Sequence, residues 1–111
     1  MERAEGNQFC VVLVTVPSKA QAESIAKTLV ELKLAACVSV LPVCSIYTWQ
    51  GNLQTEEEWQ LLIKSSLARF TELETKLRAI HPYEVPEIIA VPILAGSPPY
   101  LQWIEDSVNP T

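Results

Sequence analysis

Residues 36–66 read ACVSVLPVCSIYTWQGNLQTEEEWQLLIKSS, and the order of residue types in this stretch decides the fold. Its first half is β-branched and aromatic; its second half places Trp59, Leu61 and Ile63 at alternate positions; Gln50-Gly51-Asn52 between them is a tight-turn signal. The stretch reads as a long hairpin, strand 36–49 against strand 53–66. Pro42, with no N–H to give to a ladder, marks an edge position or a bulge. A strand of this length spans about 45 Å at the rise of extended chain, whereas a compact domain of about a hundred residues has a radius of gyration of roughly 13 Å. The hairpin must overhang its own domain. An overhanging ribbon that carries Tyr47, Trp49 and Trp59 leaves aromatic faces and strand edges wet, which favours pairing with another copy of the chain.

On the N-terminal side, Phe9–Val16 (FCVVLVTV) is a nearly continuous apolar run closed by Pro17, as expected of a central strand covered on both faces. Ser18 and Gln21 form a capping box, and Ala22, Ile25, Ala26, Leu29 and Val30 follow on one stripe of an amphipathic helix. On the C-terminal side, Phe70, Leu73, Leu77 and Ile80 predict a second helix that stops at His81, because Pro82 disfavours helical backbone before it. A loop, residues 81–87, leads to a fourth strand over 88–94. Gly96-Ser97-Pro98 then opens a short last helix with Ser97 as cap and Leu101, Ile104 and Val108 as its apolar side. The order β-α-β-β-α-β plus a terminal helix predicts an α+β, ferredoxin-like split βαβ fold: an antiparallel sheet with an extended hairpin and two helices on one face. The short C-terminal helix cannot cover the other face alone, and neighbouring subunits are the natural supplier of the rest.

The 111 residues fit one domain, read as residues 9–111 behind a flexible 1–8. Only 19% are charged, below the roughly 25% usual for soluble domains. The hairpin gives that shortage a location, as surface hidden in an oligomer. No apolar run reaches the roughly 20 residues that span a bilayer, and residues 1–8 lack the basic start and apolar core of a secretory signal. The expectations are no membrane association and a cytoplasmic location. A net charge of −5 without a basic cluster argues against nucleic acid. Cys10, Cys37 and Cys44 have no Cys-x-x-Cys spacing and read as reduced, buried thiols.

His81 is the only histidine, with Glu84 and Glu87 three and six residues further along a stretch stiffened by Pro82 and Pro86. The imidazole reads either as a hydrogen-bonded residue that ends the helix or as a metal ligand joined by one or two carboxylates. Tyr47, Trp49, Trp59 and Tyr83 either seal a subunit contact or line a ligand cleft. Glu56-Glu57-Glu58 reads as a solvated acidic patch beside the turn. His81 with Glu84 or Glu87 and Tyr83 could serve as acid and base at a subunit cleft, but the chain has three glycines, no Gly-rich phosphate loop and nothing that names a substrate, and it is read as a non-enzyme without an obligatory cofactor.

Three motifs, Leu34-Ala35-Ala36-Cys37, Ser45-Ile46-Tyr47-Thr48-Trp49-Gln50-Gly51 and His81-Pro82-Tyr83-Glu84-Val85-Pro86-Glu87-Ile88, in order and at compatible spacing, resemble the CutA family of divalent-cation tolerance proteins. The resemblance implies a homotrimer, related in architecture to the PII signalling proteins, in which long hairpins pair at their edges. It also implies a role in tolerance of divalent metal ions and a copper contact from a Cys late in the first strand, the His of the His-Pro-Tyr motif and the Glu of the Pro-Glu motif. The last two are His81 and Glu87, with Glu84 as a weaker candidate; the first position holds Val14. Without a thiolate, contact with copper or a similar divalent cation is expected to be weak and less selective. The alternative is a PII-like module that recognises a small molecule or a partner protein at an inter-subunit cleft.

Overall fold

The chain alternates strand and helix in the order β1 (Glu2–Arg3), β2 (Phe9–Val16), α1 (Lys19–Glu31), β3 (Cys37–Trp49), β4 (Asn52–Ser66), α2 (Phe70–Ile80), β5 (Ile89–Pro92), β6 (Ala95–Gly96) and α3 (Pro98–Val108). This is the order in the computed structural model, which describes residues 2–3 and 8–110. One antiparallel sheet has the strand order β3-β4-β2-β5, and β1 pairs with β6 in a separate short ladder. The architecture is the expected α+β one. The expectation of a flexible 1–8 falls, at residues 1 and 4–7, outside the described residues.

The hairpin holds one register without interruption, from Cys37 opposite Lys64 to Trp49 opposite Asn52, so Pro42 is accommodated by the edge position of β3 and no bulge forms. Gln50 and Gly51 turn the chain at φ of 52° and 81°, the pair of positive angles that a two-residue turn needs to match the twist of its strands. The longest dimension of the molecule is 45 Å against 25 and 21 Å across, and the radius of gyration is 14.7 Å. The ribbon does overhang.

Alternation along the strands divides the sheet. Cys10, Val12, Val14 and Val16 of β2 and Leu61 and Ile63 of β4 meet Ala22, Ile25 and Leu29 of α1 and Leu73 and Leu77 of α2 in the main core. On the opposite face, at the base of the hairpin, Phe9 and Ala36 pack with Leu101, Ile104 and Val108 of α3. Beyond α3 that face carries no helix. Ser18 caps α1 as read, accepting from the Gln21 backbone N–H at 3.2 Å and donating to the Gln21 side chain at 3.0 Å.

Three expectations are corrected. Strand 88–94 is shorter: Pro92 ends the ladder against β2, and residues 95–96 pair separately as β6. Ser97 stands at the cap position of α3 but its hydroxyl caps nothing. Pro98 and Pro99 remove the first two N–H groups, and those of Tyr100 and Leu101 go to the Ser97 carbonyl at 3.1 Å. Of the cysteines only Cys10 is buried; Cys37 is half-buried and Cys44 lies exposed on the ribbon beyond the helices.

Ser65 ties the hairpin to the end of α1. Its side chain is fully buried and its hydroxyl donates to the Leu34 carbonyl at 2.8 Å. Ser65→Ala leaves that carbonyl without its partner, and urea unfolding is expected to show a loss of about 1–3 kcal/mol.

Candidate functional site

The helix-free end of the sheet is closed over by the loop that follows α2. Pro82 forces extended backbone on His81 (φ −77°, ψ 138°), so the helix stops there and the chain crosses toward β2. The His81 ring is buried, with Nε2 2.8 Å from the Thr15 carbonyl oxygen and Nδ1 2.9 Å from the Tyr83 backbone nitrogen. A backbone N–H can only donate, so Nδ1 accepts from it and Nε2 carries the proton that it donates to Thr15. One neutral ring thereby pins the loop both to the central strand and to itself.

The next residue pair extends this clamp to the hairpin. The Tyr83 hydroxyl donates to Glu58 Oε2 at 2.7 Å, and Glu58 retains only 7% of its exposure. Burial, first, then the hydrogen bond to Glu58 and the negative charges of Glu58 and Glu56 nearby, push the Tyr83 phenol well above its ordinary range. Loop, β3 and β4 together enclose a cavity of about 670 Å³, open to solvent on one side. Thr15 and Ser45 contribute polar lining, Tyr47, Trp49 and Tyr83 supply aromatic rings, and Glu58, Glu84 and Glu87 supply carboxylates. Among the described residues no Lys, Arg or His lines it. The Gln60 side-chain amide, anchored on the Val14 carbonyl at 2.9 Å, reaches Glu87 Oε2 at 3.5 Å.

The structure therefore brings Tyr47, Trp49, Tyr83, Glu84 and Glu87 to one cavity, with His81 behind its wall. Trp59 is separated from them. It shares the face of Leu61 and Ile63, packs against the main core, and lies under the Lys19 ammonium at 5.7 Å. Glu58 is the residue that sequence reading missed. In a run of three glutamates nothing marks the middle of the ribbon's covered face, and only Tyr83, 25 residues away, distinguishes Glu58 from the exposed Glu56 and Glu57.

These residues do not fit a closed copper centre. Val14 is fully buried in the main core, and burial raises the Cys10 thiol, which disfavours the thiolate. Among the described residues no three His, Cys, Asp or Glu side chains converge as a metal-ligand group. The His81 lone pair is already taken by the Tyr83 N–H.

Comparison with known proteins places the chain. The family model described as CutA1 divalent ion tolerance protein matches residues 10–107. The chain belongs to that family. It is 48% identical over 100 residues to the divalent-cation tolerance protein CutA of Thermus thermophilus, covering 89% of this chain and 97% of that one. To the CutA of Archaeoglobus fulgidus it is 38% identical over 98 residues, covering 88% and 96% of the two chains. Among solved structures, CutA from Xylella fastidiosa superposes with a TM-score of 0.90 at 42% identity, over 92% of this chain and 99% of that one. The fold and the family membership expected from the three motifs are thus established, and the homologues' names support a role in metal tolerance.

The Tyr83 to Glu58 contact has a spectroscopic consequence. Tyr83 keeps its proton at pH values where unfolded chain loses it, so this contact contributes stability below about pH 10 that is lost as pH rises further. In an absorbance titration of the phenols, the latest-ionising tyrosine is expected to vanish in Tyr83→Phe. In Glu58→Gln it should move down toward the ordinary range, and an unchanged high-pH limb in both variants contradicts the assignment.

Proposed function

We propose that this chain acts in tolerance of divalent metal ions as a cytoplasmic homotrimer without catalytic activity, meeting copper or a similar divalent cation weakly through His81 and Glu87, with Glu84 contributing. The observation that carries the reading is the tautomer of His81. Metal-ligating histidines characteristically donate one ring N–H to a carbonyl or carboxylate, which leaves the other nitrogen's lone pair for the ion. The bond from Nε2 to Thr15 is of that kind, and it leaves Nδ1 as the donor atom. An ion there must displace the Tyr83 N–H, exchanging a hydrogen bond worth about 1 kcal/mol, and must complete its shell with water or groups from a neighbouring subunit. Both requirements make the contact weak. The three unpaired cysteines agree with a reducing compartment, although the Archaeoglobus fulgidus neighbour is described as periplasmic.

The trimer is supported by what the ribbon leaves open. Among the described residues nothing pairs with the outer edge of β3, a strand of 13 residues, and Ile46, Trp49 and Leu53 near the tip are 66%, 60% and 73% exposed. So long an apolar edge is a template for strand pairing between copies. The PII-like alternative, a small molecule or partner protein held at an inter-subunit cleft, draws on the same cavity, but its three carboxylates disfavour an anionic molecule.

Isothermal titration of Cu²⁺ and Zn²⁺ into wild type, His81→Ala and Glu87→Gln tests the metal contact. Reduced heat is expected in both variants. Equal heats in all three proteins remove His81 and Glu87 from the site. Light scattering on a sizing column is expected to give three times the 12.4 kDa chain mass. Trp49→Asp is expected to abolish the trimer, and a wild-type mass near that of one chain overturns it.

A further inference from the structure

The cavity holds more negative charge than a weak metal contact explains. Three carboxylates line it with no basic side chain among the described residues, and one, Glu58, is 93% buried with its carboxylate accepting from the Tyr83 hydroxyl. A carboxylate so buried lacks most of the solvation it had in water, so a cation beside it is strongly favoured. The kind of cation is restricted by the rest of the wall. Although Glu58, Glu84 and Glu87 line one cavity, they do not gather into a three-donor metal group, which sets their spacing wider than the first shell of one ion. The same cavity is lined by Tyr47, Trp49 and Tyr83, and aromatic rings attract cations without supplying lone pairs. Ile46 and Val85 add apolar surface, which a hydrated divalent ion does not use. A volume of about 670 Å³ lies in the range of small-molecule sites and is far larger than a single ion requires.

From these observations we infer that the cavity between the loop at residues 82–87 and the hairpin is a binding site for an alkylammonium ion, a positive nitrogen carried on an apolar body. The charged nitrogen sits against Glu58 and the aromatic rings, with Glu84 and Glu87 at the mouth; the apolar body lies along Ile46 and Val85. A diffuse organic cation needs no close convergence of donors, and aromatic faces bind it best when it is poorly hydrated. The Tyr83 hydroxyl, kept protonated by its surroundings, orients the Glu58 carboxylate and leaves the carboxylate's charge for the ligand. The His81 ring is not part of this lining, and Glu58, which the metal contact does not use, is the carboxylate on which the site rests; Glu84 and Glu87 are shared with the proposed metal contact.

The test is an isothermal titration of the intact, assembled protein with choline, in a buffer containing EDTA so that metal plays no part. Its control is 3,3-dimethyl-1-butanol, the uncharged carbon isostere of the same shape. Saturable binding of choline and none of the alcohol is expected. Glu58→Gln keeps an acceptor for the Tyr83 hydroxyl, so the fold is retained, and it should weaken choline binding by about tenfold or more, as loss of roughly 1.4 kcal/mol of charge attraction requires. Three outcomes overturn the proposal: no choline binding at millimolar concentration, equal binding of choline and the alcohol, or an unchanged affinity in Glu58→Gln. Because the metal titration is read separately, failure of either reading leaves the other standing.

Discussion

The same number of residues makes β3 and α1, and the difference in rise between the two conformations organises the whole molecule. Thirteen residues of helix extend about 20 Å, whereas thirteen residues of strand extend about 43 Å. Helices of this length therefore cover little more than the lower half of the hairpin, and the register that runs unbroken to Trp49 opposite Asn52 carries the remainder into solvent. The main core ends where the helices do, at Val16 and its partner Trp59. Past that point the side chains at Ile46, Trp49 and Leu53 are exposed because no element of this chain is long enough to reach them.

The boundary between covered and uncovered ribbon is where the functional groups collect. Trp59 and Glu58 are adjacent, so the pleat sends them to opposite faces: the indole closes the top of the helix-covered core, and the carboxylate enters the cavity under the loop. The loop is held there by bonds in series, from the Thr15 carbonyl through the His81 ring to the Tyr83 backbone, and from the Tyr83 hydroxyl to Glu58. The histidine is thus both a structural clamp and the one imidazole available, and the two roles compete for a single lone pair on Nδ1. This competition is what makes weak metal contact compatible with a well-ordered wall.

Much of the fold was legible because its signals are local. The alternation through Trp59, Leu61 and Ile63, the turn at Gln50-Gly51, the capping box at Ser18 and Gln21, and the stop at His81 before Pro82 each depend on neighbours within a few residues. Ser97 was misread because a serine before a helix normally caps it, whereas here Pro99 removes the second N–H and that of Tyr100 goes to the Ser97 carbonyl rather than to its hydroxyl. Cys44 was misread as buried because its apolar neighbours continue a pattern that means core only where a helix lies above it. The site was legible in part. The His-Pro-Tyr-Glu run and the hairpin aromatics were singled out, but Glu58, identical in type to the two residues before it, becomes distinct only through Tyr83. Pairings that span tens of residues leave no trace in a window of ten.

Charge density separates the two cations that the chain's chemistry invites. A divalent metal ion concentrates its charge and requires several lone pairs within about 2.0–2.6 Å, so its site must be built from side chains that converge. Among the described residues no three such side chains converge, the lone pair of His81 is already in use, and the strand position that would bring a thiolate closer is occupied by Val14, which the main core needs. An organic cation spreads its charge over several carbon atoms and is satisfied by carboxylates and ring faces arranged around a larger space. Glu58, Glu84, Glu87, Tyr47, Trp49 and Tyr83 are so arranged. The end of the sheet that the helices leave bare thus has the geometry of a container for a positive charge, and its width selects for a large, weakly hydrated one.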